Sequence, residues 1–502
     1  MSELPEGWIS LPLTQAFDLN PSKPARDALP ASSSVTFVPM QAVDATKGAI
    51  VAPEERPYGE VRKGYTAFAE GDVIMAKITP CFENGKTAIA RGLKQHLGFG
   101  STEFHVFRST GLVLAEYLFH HLRQDHFRDA AAENMTGTAG QARVPAEYLK
   151  GLSLPIPPLA EQRRIVAKVE ALLSLASATK ERLTRVSLLL KRFRQSALAA
   201  AFSGRLSEDW RQSHKFKRST KGPIRNRTPS INQNHDFPEQ WNIMNLNEIT
   251  SIIDPNPSHR YPAYTNGTIP LLATREFDGL DGWKVDGAPL VPEEVYQDQY
   301  RACHFDRNDI IFARKGRLGL ARRPPPIDRY AFSHTVFVIK TNEYADSGYV
   351  LWYLRKEESI HWITAEMNSN TGVPTLGKSV LARLPIALPS LEEQRYITNR
   401  LQSIFAIADL IEKRVIAAMA RADKLPQSIL AKAFAGELVP TEAELARAEG
   451  RSYESAEELL ARVRNVAPAP PPRAPRGTGA VPRQRRRGSS ARGANDGRRC
   501  DP

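Results

Sequence analysis

The segment SALAAAFSGRL at residues 196–206 returns as SILAKAFAGEL at 428–438, a shift of 232 residues. The same shift places EYLFHHLR (116–123) over GYVLWYLR (348–355). It also carries Pro157, Leu159, Glu161, Gln162, Arg163 and Ile165 onto Pro389, Leu391, Glu393, Gln394, Arg395 and Ile397. LPEGW (4–8) lies over FPEQW (237–241) at a shift of 233, and GDVIMAKI (71–78) over NDIIFARK (308–315) at 237, so a few residues are inserted between these blocks. A register kept across separated blocks marks a tandem duplication, and the fold must accommodate two copies of one unit.

Each copy changes character part-way. Over about 5–153 and 237–386, short β-branched and aromatic runs such as VTFVPM (35–40), DVIMAKI (72–78), DIIFARK (309–315) and TVFVIK (335–340) alternate with Gly, Pro and Asn turns. One helix in each stands out by its apolar spacing, Leu114 to Arg128 and Gly348 to Ile363. After Pro157 and Pro389 the period becomes a heptad: Ile165, Val169, Leu172, Ala176, Thr179, Leu183, Val186, Leu190, Phe193, Ala197 in the first copy, and Ile397, Leu401, Ile404, Ala408, Ile411, Val415, Ala418, Ala422, Leu425, Ile429 in the second. Pro158 suits one helix start, Ser390 with Glu393 forms a capping box at the other, and Gly204 and Gly436 end them. Two seams of this length must be buried, and antiparallel pairing inside one chain does so, over ~50 to 65 Å at 1.5 Å per residue.

The expected fold is therefore α+β: two mixed α/β domains alternating with two long helices that pack as an antiparallel coiled coil, an internal repeat with pseudo-twofold symmetry. The expected boundaries are a first domain at 1–153, a helix at 154–206, a flexible basic linker at 207–236, a second domain at 237–386 and a helix at 387–440. A short helical extension follows at 441–467, with a helix from Ser455 to Val463, and then a disordered Pro- and Arg-rich tail at 468–502. The tail holds nine Arg and two Asp, a local +7, so the remainder carries +6 of the net +13. That balance fits a nucleic-acid partner and fits simple solubility equally well. No apolar run approaches the ~18 residues of a membrane span, and MSELPEGW lacks a secretion signal, so the expected location is the cytoplasm. Cys81, Cys303 and Cys500 stand far apart, which predicts neither zinc site nor disulfide framework.

Signals for covalent chemistry fail one by one. Gly85, Lys86 and Thr87 resemble the end of a phosphate-binding loop, but Pro80 occupies the place of its first glycine. No lysine has an acidic residue two places before it, as metal-dependent nucleases use. Asn20-Pro21 and Asn256-Pro257 are followed by Ser rather than by the Pro and aromatic of amino-methyltransferases. No catalytic residue and no metal ligand is predicted. What remains is polar and basic groups on turns beside strands: Lys77, Thr102, Glu103, Gln141 and Arg143 in the first domain, and Arg275, Arg314, Lys315, Arg317, His334, Thr335 and Asn370 in the second. Arg and Lys suit guanine edges or phosphates, Gln and Asn suit adenine, and Glu accepts from cytosine. His334 and Thr335 stand where the first copy has Thr102 and Glu103, so the two copies would read different sequences.

The domain, helix, domain, helix plan resembles the specificity subunit of type I restriction-modification systems. The resemblance rests on LPIPPLAEQRRIVAKVEALL and LPSLEEQRYITNRLQSIF, the SALAAAFSGRL and SILAKAFAGEL pair, the Ser-Thr-Glu-Phe at 101–104 and the PEGW and PEQW openings, and it covers residues 1 to about 465. It implies that each globular domain is a target-recognition domain reading one half of a split double-stranded DNA site, while the helices set the gap. It implies two methyltransferase subunits and two ATP-driven restriction subunits as partners. S-adenosylmethionine, ATP and magnesium then belong to those partners, and this chain binds no cofactor. The family's methyltransferase contact carries over onto Leu159, Gln162, Ile165, Val169 and Phe202, and onto Leu391, Gln394, Ile397, Leu401 and Phe434. The reading from residues alone leaves open a stand-alone DNA-binding regulator or scaffold without a methyltransferase.

Overall fold

In the computed structural model the described residues are 4–25, 27–138, 140–214, 237–258, 267–366 and 375–466. The chain divides into two compact units, one of Met1–Val169 with Leu430–Pro502, the other of Glu170–Ile429. The boundaries fall inside the two long helices, Leu159–Phe202 and Leu391–Phe434. The first unit thus takes its globular domain from the first copy and the end of the second copy's helix from residue 430, and the second unit takes its globular domain from the second copy and residues 170–202 of the first copy's helix.

In the first unit, Phe17–Leu19, Phe104–Ser109, Val73–Ala76 and Thr87–Ile89 form an antiparallel sheet in that order. All four residues of Val73–Ala76 are buried, as a central strand covered on both faces requires. A second sheet runs Glu54–Pro57, Ser34–Val38, Leu97–Gly100, Thr66–Ala69, parallel only between Ser34–Val38 and Leu97–Gly100. Ile9–Pro12 pairs antiparallel with Ser153–Ile156, tying the beginning of the domain to its end.

The second unit repeats this plan. Thr250–Ile253, Val336–Thr341, Ile310–Ala313 and Ala321–Arg322 make the matching antiparallel sheet. Leu290–Val291, Ile269–Leu272 and Ala331–Phe332 make the mixed one, and Asn242–Asn245 closes against Pro385–Leu388. One continuous apolar core joins Ile310, Phe312, Phe337 and Ile339 to Phe202, Ile397, Leu401 and Phe405 of the long helices.

Within the second unit the two long helices run antiparallel. Lys180 pairs with Asp423 at 2.6 Å, and Arg194 with Asp409 at 2.5 Å and Glu412 at 2.7 Å, so one helix advances fourteen residues while the other retreats fourteen. Ala176, Leu190, Ala197, Ala408, Val415 and Ala422 of the heptads are buried. Phe193, Ile411 and Leu425 are not: they are 49%, 38% and 44% exposed. A two-helix contact covers a narrow stripe, and a straight helix of 3.6 residues per turn drifts about 20° per heptad away from a 3.5-residue seam.

Other expectations need correction. Each single domain helix is two: Ala115–Leu122 and Asp125–Glu133, then Ser347–Arg355 and Glu357–Ala365. Gln124 and Lys356 are extended at the breaks, and acidic Asp125 and Glu357 open the second helices, where a carboxylate meets the positive helix end. Residues 207–213, read as the start of a flexible linker, are folded: Ser207 is buried and Glu208–Ser213 is helical. Residues 215–236 and the tail from 467 lie outside the described residues. The extension holds two helices, Glu442–Glu449 and Ala456–Val466, the latter opened by reciprocal bonds between Ser455 and Glu458. At the second long helix Ser390 Oγ does accept from the Glu393 N–H, at 3.3 Å, but the Glu393 carboxylate is committed elsewhere. Cys81 and Cys303 are buried. No helix among the described residues is long and apolar enough to cross a membrane.

Candidate nucleic-acid interface

Three chain segments meet beside the central strand of each domain. In the first, the Lys77 N–H donates to the Glu103 carbonyl at 2.8 Å, and the Val144 N–H donates to the Lys77 carbonyl at 2.8 Å. In the second, the Arg314 N–H donates to the Thr335 carbonyl at 2.9 Å and the Leu376 N–H to the Arg314 carbonyl at 2.8 Å. Bridges Ile78–Arg143 and Lys315–Thr375 continue the match. The backbone frame is the same, and it sets Lys77 against Arg314, Glu103 against Thr335, and Arg143 against Thr375.

On this frame the first domain gathers Lys77, Glu103, Gln141 and Arg143. Arg143 forks the Glu103 carboxylate, Nε to Oε2 at 3.0 Å and Nη2 to Oε1 at 2.8 Å, while its Nη1 donates to the Gln141 carbonyl at 2.9 Å. The Arg143 guanidinium, with Lys77 nearby, holds the Glu103 carboxyl below the usual glutamate range against the opposing effect of burial. Thr102 and Gln141 are exposed beside the pair. His105, one strand position inward from Phe104, is buried, with Nε2 2.8 Å from the Val144 carbonyl; burial lowers its basicity.

The second domain brings Arg275, Arg314, Lys315, Arg317, His334 and Thr335 onto the corresponding turns. Arg314 is buried, paired with Asp254 at 2.5 Å and stacked 4.4 Å from the centre of the Phe337 ring, which makes it part of the frame. Arg275 pairs with Glu276 at 2.5 Å, and exposed Arg317 donates to the Phe277 carbonyl at 2.7 Å. Thr335 Oγ1 accepts from the Thr274 N–H at 3.2 Å and lies 2.7 Å from Ser333 Oγ. Asn370 lies outside the described residues.

The residues assigned by resemblance to a methyltransferase contact sit mostly inside their own unit. Gln162 Oε1 accepts from the Leu114 N–H at 2.9 Å, and its Nε2 donates to the Leu112 and Pro157 carbonyls at 3.1 and 3.0 Å. Gln394 repeats this with the Asp346 N–H and the Tyr344 and Pro389 carbonyls at 2.7, 3.0 and 2.9 Å. Ile165, Val169, Ile397 and Leu401 are buried, and Leu159 and Leu391 are half-buried. Phe202 packs edge-on to Tyr349 and Tyr353, and half-buried Phe434 to Tyr117 and His121. Sequence reasoning missed what stays outside: Leu175, Leu188, Leu189, Ile407, Leu410 and Ile416 on the paired helices are 50% to 61% exposed. Their signal was present in the apolar residues left over once the heptad positions were assigned.

Residues 238–419 match the type I restriction modification DNA specificity domain. The chain is similar to type I restriction enzyme specificity subunits, and it spans under a third of the length of those it matches at the highest identity. It is 40% identical to the EcoEI specificity subunit of Escherichia coli over 174 residues, which is 34% of this chain and 29% of that protein. The StySPI specificity subunit of Salmonella potsdam is 27% identical over 73% of this chain and 74% of its own length. The crystal structure of the HsdS subunit from Thermoanaerobacter tengcongensis shares the fold, with a TM-score of 0.58 and 24% identity over 87% of this chain and 98% of that one.

Proposed function

We propose that the chain is the DNA sequence-specificity subunit of a type I restriction-modification complex, each domain reading one half of a bipartite asymmetric site. The observation that carries this is the duplicated frame with different side chains at Lys77/Arg314, Glu103/Thr335 and Arg143/Thr375, in a chain related to specificity subunits. One scaffold used twice with different donors and acceptors is what reading two different half-sites requires. Exposed Arg275 and Arg317, with half-buried Lys77 and Lys315, would supply phosphate contacts that fix register, and affinity would fall steeply with salt.

The chain itself performs no covalent step in this reading. Methyl transfer and ATP-driven cleavage belong to two methyltransferase and two restriction subunits, which carry S-adenosylmethionine, ATP and magnesium. The exposed apolar residues of the paired helices, Leu175, Leu188, Leu189, Ile407, Leu410 and Ile416, offer the methyltransferase its surface. Leu159, Gln162, Ile165, Val169, Phe202 and their counterparts shape the joints behind it. The test is a genome-wide map of N6-methyladenine in cells making the cognate methyltransferase, with and without this chain. A chain-dependent split motif, methylated on opposite strands in its two halves, is expected; its absence despite a copurified methyltransferase would overturn the reading.

A further inference from the structure

Arg143 and Glu103 form a closed fork that still faces solvent, with side chains 41% and 25% exposed. A guanidinium has five N–H donors, and three of Arg143's are spent, two on Glu103 and one on the Gln141 carbonyl. A carboxylate has about four lone-pair sites, and the fork uses two of Glu103's. The remaining acceptor sites are fixed in direction by the fork and by the backbone anchors at Lys77 and Val144. An acceptor of fixed direction on a rigid frame matches the exocyclic amine of a base in the major groove, cytosine N4 or adenine N6.

Resting on the reading above, we infer that Glu103 is a specificity-determining residue of the first half-site, accepting from the exocyclic amine of one cytosine or adenine, and that Arg143 is its positioning residue. The second copy lacks the device. Thr335 and Thr375 stand at the corresponding places, and Thr335 Oγ1 is already bonded to Thr274 and Ser333. Base choice at the equivalent position of the second half-site therefore follows different chemistry. Reading of a base amine by a forked carboxylate at this position belongs to the first half-site alone.

The experiment is the methylation map of the full complex carrying Glu103→Gln, Arg143→Ala, both together, or Arg91→Ala. The last removes an exposed ion pair with Glu116 elsewhere in the same domain. Glu103→Gln is expected to raise methylation of sites with another base at one position of the first half-site about tenfold. Arg143→Ala should relax that same position, the double variant should go no further, and the second half-site and the gap should stay unchanged. Arg91→Ala should leave the motif intact. If Glu103→Gln lowers methylation uniformly with unaltered base frequencies, the pair is structural and the inference falls. Relaxation of different positions by the two single variants overturns the coupling just as surely. Absence of any chain-dependent motif with the unaltered chain would remove the reading itself, and the inference with it.

Discussion

Gln162 and Gln394 show how much one buried side chain holds. Each satisfies a backbone N–H and two carbonyls from two separate segments, and the partners correspond residue for residue between copies. Leucine at either place would leave those three groups without their partner, each costing about 1–3 kcal/mol when buried. Gln162→Leu and Gln394→Leu are therefore expected to destabilise their own units by about 3 kcal/mol or more, measured by denaturant unfolding. Exposed Arg163 and Arg395 belong to the same repeated run, and their replacement by Ala should stay within about 0.5 kcal/mol. The repetition made a shared role for this run legible in the sequence. Which of its side chains turn inward was not, because a heptad count places Ile165 and Ile397 on the seam but says nothing of the polar residues before them.

At the scale of the element, the joints where each long helix begins use one carboxylate in two settings. In the second unit Glu393 accepts from Trp241 Nε1 at 3.1 Å, Ser207 Oγ at 2.7 Å and the Arg211 guanidinium at 2.6 Å. In the first, buried Glu161 accepts from Trp8 Nε1 and from the Glu442 N–H, both at 2.8 Å, while Arg164 pairs with Glu442 instead. Where the first joint has Arg164 with Glu442, the second has Tyr396 stacked on Trp210. Burial raises the Glu161 carboxyl above its ordinary value, so the folded unit holds that proton more tightly than the unfolded chain does. The group's contribution is fully present below the ordinary value of 4.5 and is lost as pH rises through the raised native value. Glu161→Gln should flatten that descent, seen as a smaller fall in melting temperature across the window; an unchanged slope would show that Glu161 is not its source. The helices themselves were legible, since forty-four residues of regular apolar spacing outweigh local ambiguity. The breaks at Gln124 and Lys356 were not, because apolar spacing continues across them.

For the whole molecule, the repeat read from the sequence and the units found in the structure divide the chain differently. Copies divide between the end of one helix and the next domain; folded units divide within the helices. Local periodicity reveals duplicated segments, but which copy's helix end closes which domain depends on contacts far apart in the chain. The glycines that end the helices record this. Gly204, at φ +80°, lies where a Cβ would come 2.4 Å from Pro238, and Gly436, at φ +78°, where one would come 2.4 Å from Pro5. The PEGW and PEQW openings are thus the partners of those two helix ends. Gly436→Ala would meet both left-handed strain of about 1–2 kcal/mol and that clash. A larger version of the same test removes everything after Ile429. The first unit then loses Phe434 from Tyr117 and His121, and the Glu442 N–H and carboxylate from Glu161 and Arg164. The second unit keeps all the contacts described for Gln394, Glu393 and Phe202. Hydrogen exchange of the shortened chain should show protection lost across residues 4–169 and retained across 237–366. Equal loss in both would mean that the closing helix ends are not what divides the stability of this chain.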